Sequence, residues 1–182
     1  WGPVSRVFWM PGGKQVMSIT NNGGVKIWDV ETGEEQNHYW INYYTGGNAA
    51  LSPDGKNLAV GNDHDEPGGI KLLNAENGEV QDQILSANPG PYNYVYPAYS
   101  PDGKLLACAA AGGGQWEFGE LTICDLEMKK VKQILQEIPT LSATFSPDGK
   151  LLASGERKGV LKLWDLETGK TQTISETDVI ES

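Results

Sequence analysis

Short apolar runs, each about one strand long, recur along this chain between clusters of glycine, proline and aspartate. Val160–Leu166 alternates apolar and polar residues, the period of a half-buried strand. Ser142–Ser146 and Leu151–Ser154 precede it, separated by Pro147-Asp148-Gly149, and Thr171–Ser175 follows it across Thr168-Gly169. Proline presets φ, aspartate bonds to its own backbone and glycine takes the left-handed corner, so this order of residues predicts a tight turn. The segment thus predicts four short strands. No stretch carries a convincing helical period. Leu126–Gln136 comes nearest, but it aligns with the turn and outer strand of the same pattern.

The pattern repeats. Pro-Asp-Gly-Lys stands at Pro53–Lys56, Pro101–Lys104 and Pro147–Lys150, with a degenerate Pro-Gly-Gly-Lys at Pro11–Lys14. A strand signal follows each: Val25–Val30, Ile70–Ala75, Leu121–Leu126 and Leu161–Leu166. Glu-Thr-Gly or Glu-Asn-Gly comes next in three of the four copies, at Glu31–Gly33, Glu76–Gly78 and Glu167–Gly169, before the fourth strand. The copies occupy residues 4–41, 48–86, 95–136 and 141–176, and four strands at this spacing predict one propeller blade each.

Phe145–Lys170 (FSPDGKLLASGERKGVLKLWDLETGK) resembles a WD-repeat β-propeller blade from end to end, and Val25–Glu34 (VKIWDVETGE) resembles the second half of another. The resemblance implies an all-β chain of four four-stranded antiparallel sheets, part of a seven- or eight-bladed ring completed by further blades or by self-association. It also implies a polar network joining a third-strand tryptophan, a second-strand serine or threonine, a histidine of a Gly-His pair and a turn aspartate. Only part of that network is present. Ser18 matches Trp28 and Ser154 matches Trp164, whereas the same positions hold Val60 with Leu73 and Cys108 with Cys124. There is no Gly-His pair, since His38 and His64 lie elsewhere. Asp29 and Asp165 of the Trp-Asp pairs are expected to be structural.

Composition narrows the function. The formal charge is −10, which repels nucleic-acid phosphates and anionic membranes and favours a basic protein or peptide as partner. No apolar run approaches the ~20 residues of a membrane span. The chain opens at Trp1 without an initiator methionine or a basic-then-apolar leader, so its first residue reads as a cut. Two cysteines make no disulfide framework. A cytoplasmic setting is expected, with periplasmic or extracellular ones as alternatives.

No catalytic, cofactor or metal signature emerges. Gly112-Gly113-Gly114 lacks the Lys-Ser/Thr of a phosphate loop, and no serine sits in a nucleophile elbow. Asp63-His64-Asp65-Glu66 lacks the glycine and distal glutamate of a calcium loop and reads as a solvated turn. Cys108 and Cys124 fall at facing positions and read as small core residues, with a cross-strand disulfide as the alternative in an exported protein.

Loop lengths carry the remaining signal. The connections between second and third strands are short in copies one and four (Asn21–Gly24, Glu156–Gly159) and long in two and three (Gly61–Gly69, Ala110–Gly119). The linker Ser86–Tyr96 is also long. These extras belong to one face of the two central blades, and insertions in repeat proteins gather on the binding face. The expected function is a non-catalytic protein- or peptide-binding scaffold. Its anchors would be Tyr92, Tyr94, Tyr96, Trp116 and Phe118, rimmed by His64, Asp65 and Glu66. The alternative is a propeller that gates or senses for an attached enzyme or periplasmic assembly factor.

Overall fold

The computed structural model describes residues 1–41, 48–61, 69–85, 94–112, 118–136, 139–156 and 159–175. Blade 1 comprises β1 (Val4–Trp9), β2 (Gln15–Thr20), β3 (Gly24–Asp29) and β4 (Glu35–Trp40). Blade 2 comprises β5 (Ala49–Leu51), β6 (Asn57–Gly61), β7 (Gly69–Asn74) and β8 (Val80–Leu85). Blade 3 comprises β9 (Tyr94–Tyr99), β10 (Leu105–Gly112), β11 (Phe118–Asp125) and β12 (Lys130–Gln136). Blade 4 comprises β13 (Thr140–Phe145), β14 (Leu151–Glu156), β15 (Leu161–Asp165) and β16 (Thr171–Ser175). Each blade is an antiparallel meander with its strands in sequence order.

The turns follow from their residues. In blades 2, 3 and 4 a serine hydroxyl donates to the aspartate two residues on, at 2.6–2.7 Å, and the same aspartate oxygen accepts the lysine amide at 3.1 Å. The serine oxygen in turn accepts the amide that opens the second strand. The aspartates of the Trp-Asp pairs cap the next turn as expected. Asp29 accepts the amides of Glu31 and Thr32, and Asp165 those of Glu167 and Thr168.

Because side chains alternate across a strand, each blade has two apolar faces. Met17, Ile19, Val25 and Ile27 of blade 1 pack on Leu58, Val60 and Leu73 of blade 2. Ala59 and Ile70 of blade 2 pack on Leu106, Cys108 and Cys124 of blade 3. Ala107, Ala109, Leu121 and Ile123 of blade 3 pack on Phe145, Leu152 and Trp164 of blade 4. Among the described residues no such core joins blade 4 to blade 1. The first strands of all four blades line one axial cavity of about 650 Å³, to which Val7, Ala50, Pro97 and Ala143 contribute.

Three expectations are corrected. The second-to-third connection of blade 3 is shorter than Ala110–Gly119. Pairing of Ala110, Ala111 and Gly112 with Glu120, Gly119 and Phe118 carries both strands further, and Gly119 permits the close approach there, since a Cβ on it would lie 2.3 Å from the Ala110 carbonyl oxygen. Tyr96 belongs to β9, not to the linker, and is half-buried against the core shared by blades 3 and 4. Cys108 and Cys124 are diagonal neighbours: Cys108 pairs with Thr122, and Cys124 with Leu106.

Candidate functional site

The turn face of the propeller carries two clefts. The first, about 850 Å³, lies between blades 1 and 2 and is walled by carboxamides, among them Gln36, Asn37, Asn57, Asn74 and Gln81. Most of these are engaged. Gln15 donates to Gln36, Gln36 donates to Asp29, and Asn37 donates to the Glu76 carbonyl at 2.7 Å. The second cleft, about 600 Å³, lies between blades 2 and 3, with Leu72 and Leu126 as apolar walls and Asp54, Asp82 and Asp102 as acids. Asn57 and Gln81 of blade 2 line both clefts, so the two adjoin along the turn-face edge of that blade as a groove divided by these residues.

Local chemistry fixes the charges there. Bonds from the Ser52 hydroxyl and the Lys56 amide hold the Asp54 carboxyl below its ordinary value, and Ser100 and Lys104 do the same for Asp102. Both are carboxylates at neutral pH. Burial, reinforced by the charge of Asp54, pushes the Tyr99 phenol well above its ordinary value, so it stays neutral. The Tyr99 hydroxyl is buried without a hydrogen-bond partner among the described residues. Lys129 has φ +53°, at the turn position where the other blades have Gly33, Gly78 and Gly169, and its ammonium pairs with Asp82 at 2.7 Å.

A second surface is the outer face of blade 1. Repeat register makes Trp9, Val16, Ser18 and Trp28 the counterparts of Phe145, Leu152, Ser154 and Trp164. Phe145 is 9% exposed beneath blade 3, whereas Trp9 is 65% exposed, and Val4, Val7, Trp1 and Trp40 are exposed with it. Trp1 stacks on Trp40 at 4.9 Å between centroids, and the Lys26 ammonium lies 4.1 Å from the Trp1 ring centroid while pairing with Glu35. At the far end of the array Leu161, counterpart of the buried Val25 and Leu121, is likewise exposed.

The anchors expected from sequence are only partly within view. Tyr92, Trp116, His64, Asp65 and Glu66 lie outside the described residues, as does the acidic turn beginning at Asp63. Tyr94 and Phe118 are placed as strand ends, their side chains likewise outside that description. Among the described residues no group of three or more His, Cys, Asp or Glu side chains converges on a metal site. Among the described residues no helix is long and apolar enough to cross a membrane. The cysteine sulfurs lie 3.4 Å apart as free, buried thiols. Their shared hydrogen bond, together with burial, pushes the Cys108 thiol up, and the same bond lowers Cys124 against its burial. No sequence signal marks the turn-face groove, because its wall residues come from separate repeats and meet only when the blades pack.

The family model described as "WD domain, G-beta repeat" matches residues 136–165. The chain is 30% identical over 161 residues to WD repeat-containing protein SL1-17 of Schistosoma mansoni, covering 87% of the chain and 49% of that protein. It is 28% identical over 166 residues to the WD repeat-containing protein WDS homolog of Arabidopsis thaliana, covering 90% of the chain and 30% of that protein. It is 25% identical over 154 residues to the Target of rapamycin complex subunit wat1 of Schizosaccharomyces pombe, covering 83% and 46% respectively. The chain therefore spans half or less of the length of these relatives. Kuenenia stuttgartiensis Hydrazine Synthase superposes with a TM-score of 0.66 over 91% of this chain and 52% of that one; at 17% identity the likeness is one of fold. With a family model seated on its fourth blade and WD repeat-containing relatives matched along nearly its whole length, the chain belongs to the WD-repeat β-propeller family.

Proposed function

We propose that this chain is a non-catalytic scaffold that binds protein or peptide partners. The observation that carries the reading is the outer face of blade 1. It presents Trp9 and Val7 to solvent at positions whose counterparts in later blades belong to or pack against interface cores, with Trp40 exposed beside them. Exposed apolar faces of this kind mark protein–protein contact, and large aromatics are favoured anchors. The natural occupant is the free face of another blade, so the array forms part of a larger ring. A role within assemblies is in keeping with the relative named as a complex subunit.

The partner-docking surface proposed from sequence is the loop face of the central blades, opposite their turn face, with Tyr92, Tyr94, Trp116 and Phe118 as anchors and His64, Asp65 and Glu66 as an acidic rim for a basic partner. Immobilised variants separate the surfaces. Trp9→Glu alters the end face, Trp116→Ala the loop face and Lys150→Ala neither. Loss of partner capture in the first or second, with the third unaffected, supports the scaffold reading. Equal capture by all three, each folded, overturns both surfaces.

A further inference from the structure

The turn-face groove combines three features. Its midpoint carries the carboxamides of Asn57 and Gln81, neither of which is engaged by another described side chain or backbone group. Each offers a donor and an acceptor side by side, the pattern that matches one peptide unit. Beyond them the second cleft is acidic, with Asp54 and Asp102 ionised and each using one carboxylate oxygen to hold its own turn. Among the described residues, Lys129 is the basic side chain lining this cleft, and it is already paired with Asp82. The wall also holds Tyr99, whose hydroxyl is buried without a partner, so a donor would reach this unmet bond only if the wall yields slightly on binding.

We propose that this groove binds an extended peptide segment carrying a basic side chain. The peptide units pair with Asn57 and Gln81, and the guanidinium or ammonium group lies between Asp54 and Asp102 with Tyr99 beneath it. The chain's net charge of −10 favours such a partner at a distance as well. The inference rests on the scaffold reading but uses a different face from the loop surface and the blade ends, so either can fail without the other.

The test is an NMR titration of the isotope-labelled chain with Nα-acetyl-arginine N-methylamide, which carries two peptide units and one guanidinium. Its neutral isostere, Nα-acetyl-citrulline N-methylamide, is the control. The side-chain amide signals of Asn57 and Gln81 and the backbone amide of Gly103 should shift with the arginine probe at millimolar concentration, and far less with the control. Asp102→Asn keeps the oxygen that holds the turn and removes the charge. It should weaken binding about tenfold, the loss expected for one charge-assisted bond. Tyr99→Phe should weaken it severalfold. Equal shifts with the neutral probe, shifts confined to residues outside the groove, no shifts at all, or unchanged affinity in either folded variant would overturn the proposal. The capture experiment with Trp9→Glu and Trp116→Ala decides the scaffold reading separately.

Discussion

The indole nitrogen of Trp164 donates to the Ser154 hydroxyl at 2.8 Å beneath blade 3. Trp28 makes the same bond to Ser18 at the same length, but on the half-exposed outer face of blade 1. Ser154→Ala strands a buried donor and should lower stability by about 1–3 kcal/mol. Ser18→Ala leaves an indole that water can reach, and should cost less than about 1 kcal/mol. The double change Ser154→Val with Trp164→Leu copies the Val60–Leu73 pair of blade 2 and should recover part of the Ser154→Ala loss. Urea unfolding of the three variants checks the order.

The turn glycines interlock with the preceding blade's prolines, unevenly. Gly55 has φ +73°, and a Cβ there would lie 2.4 Å from Pro11 Cδ. Gly149 has φ +71°, but its Cβ would lie 3.6 Å from Pro101 Cδ, an ordinary contact. Left-handed backbone costs alanine roughly 1–2 kcal/mol at either position. Gly55→Ala must also push blade 2 away from blade 1. Thermal unfolding should therefore place Gly55→Ala below Gly149→Ala, although both replace the same residue of the same motif.

Lys129 reverses that logic. Lys129→Gly relieves a left-handed lysine, a gain of about 1 kcal/mol. It loses the pair with Asp82, whose lysine side chain is 65% exposed and worth a few tenths of a kcal/mol at most. Denaturant unfolding should show a net stabilisation. An equal or larger loss would assign Lys129 a structural tie between blades 2 and 3 that the exposed ion pair does not account for.

The repeat made the architecture legible. Serine-proline-aspartate-glycine specifies its turn through bonds among neighbouring residues, and period-2 alternation specifies which face of each strand is buried. What stayed hidden depended on pairing between strands. Ala109–Gly112 carries no apolar-polar period, so only its ladder with β11 shows that it continues the strand. The facing assignment of Cys108 and Cys124 was off by two residues because matched repeat positions are not paired positions. Tyr96 looks like a loop aromatic until the register of β9 turns it toward blade 4.

The outer face of blade 1 is proposed above all as an interface surface. Sedimentation equilibrium of the 182-residue chain beside its Trp9→Glu variant tests it most directly. The wild-type chain should sediment as a dimer or larger species, and Trp9→Glu should shift it toward the 19.7-kDa monomer with its fold retained. A wild-type chain that stays monomeric at every concentration, with Trp9 shielded from a fluorescence quencher, would contradict it.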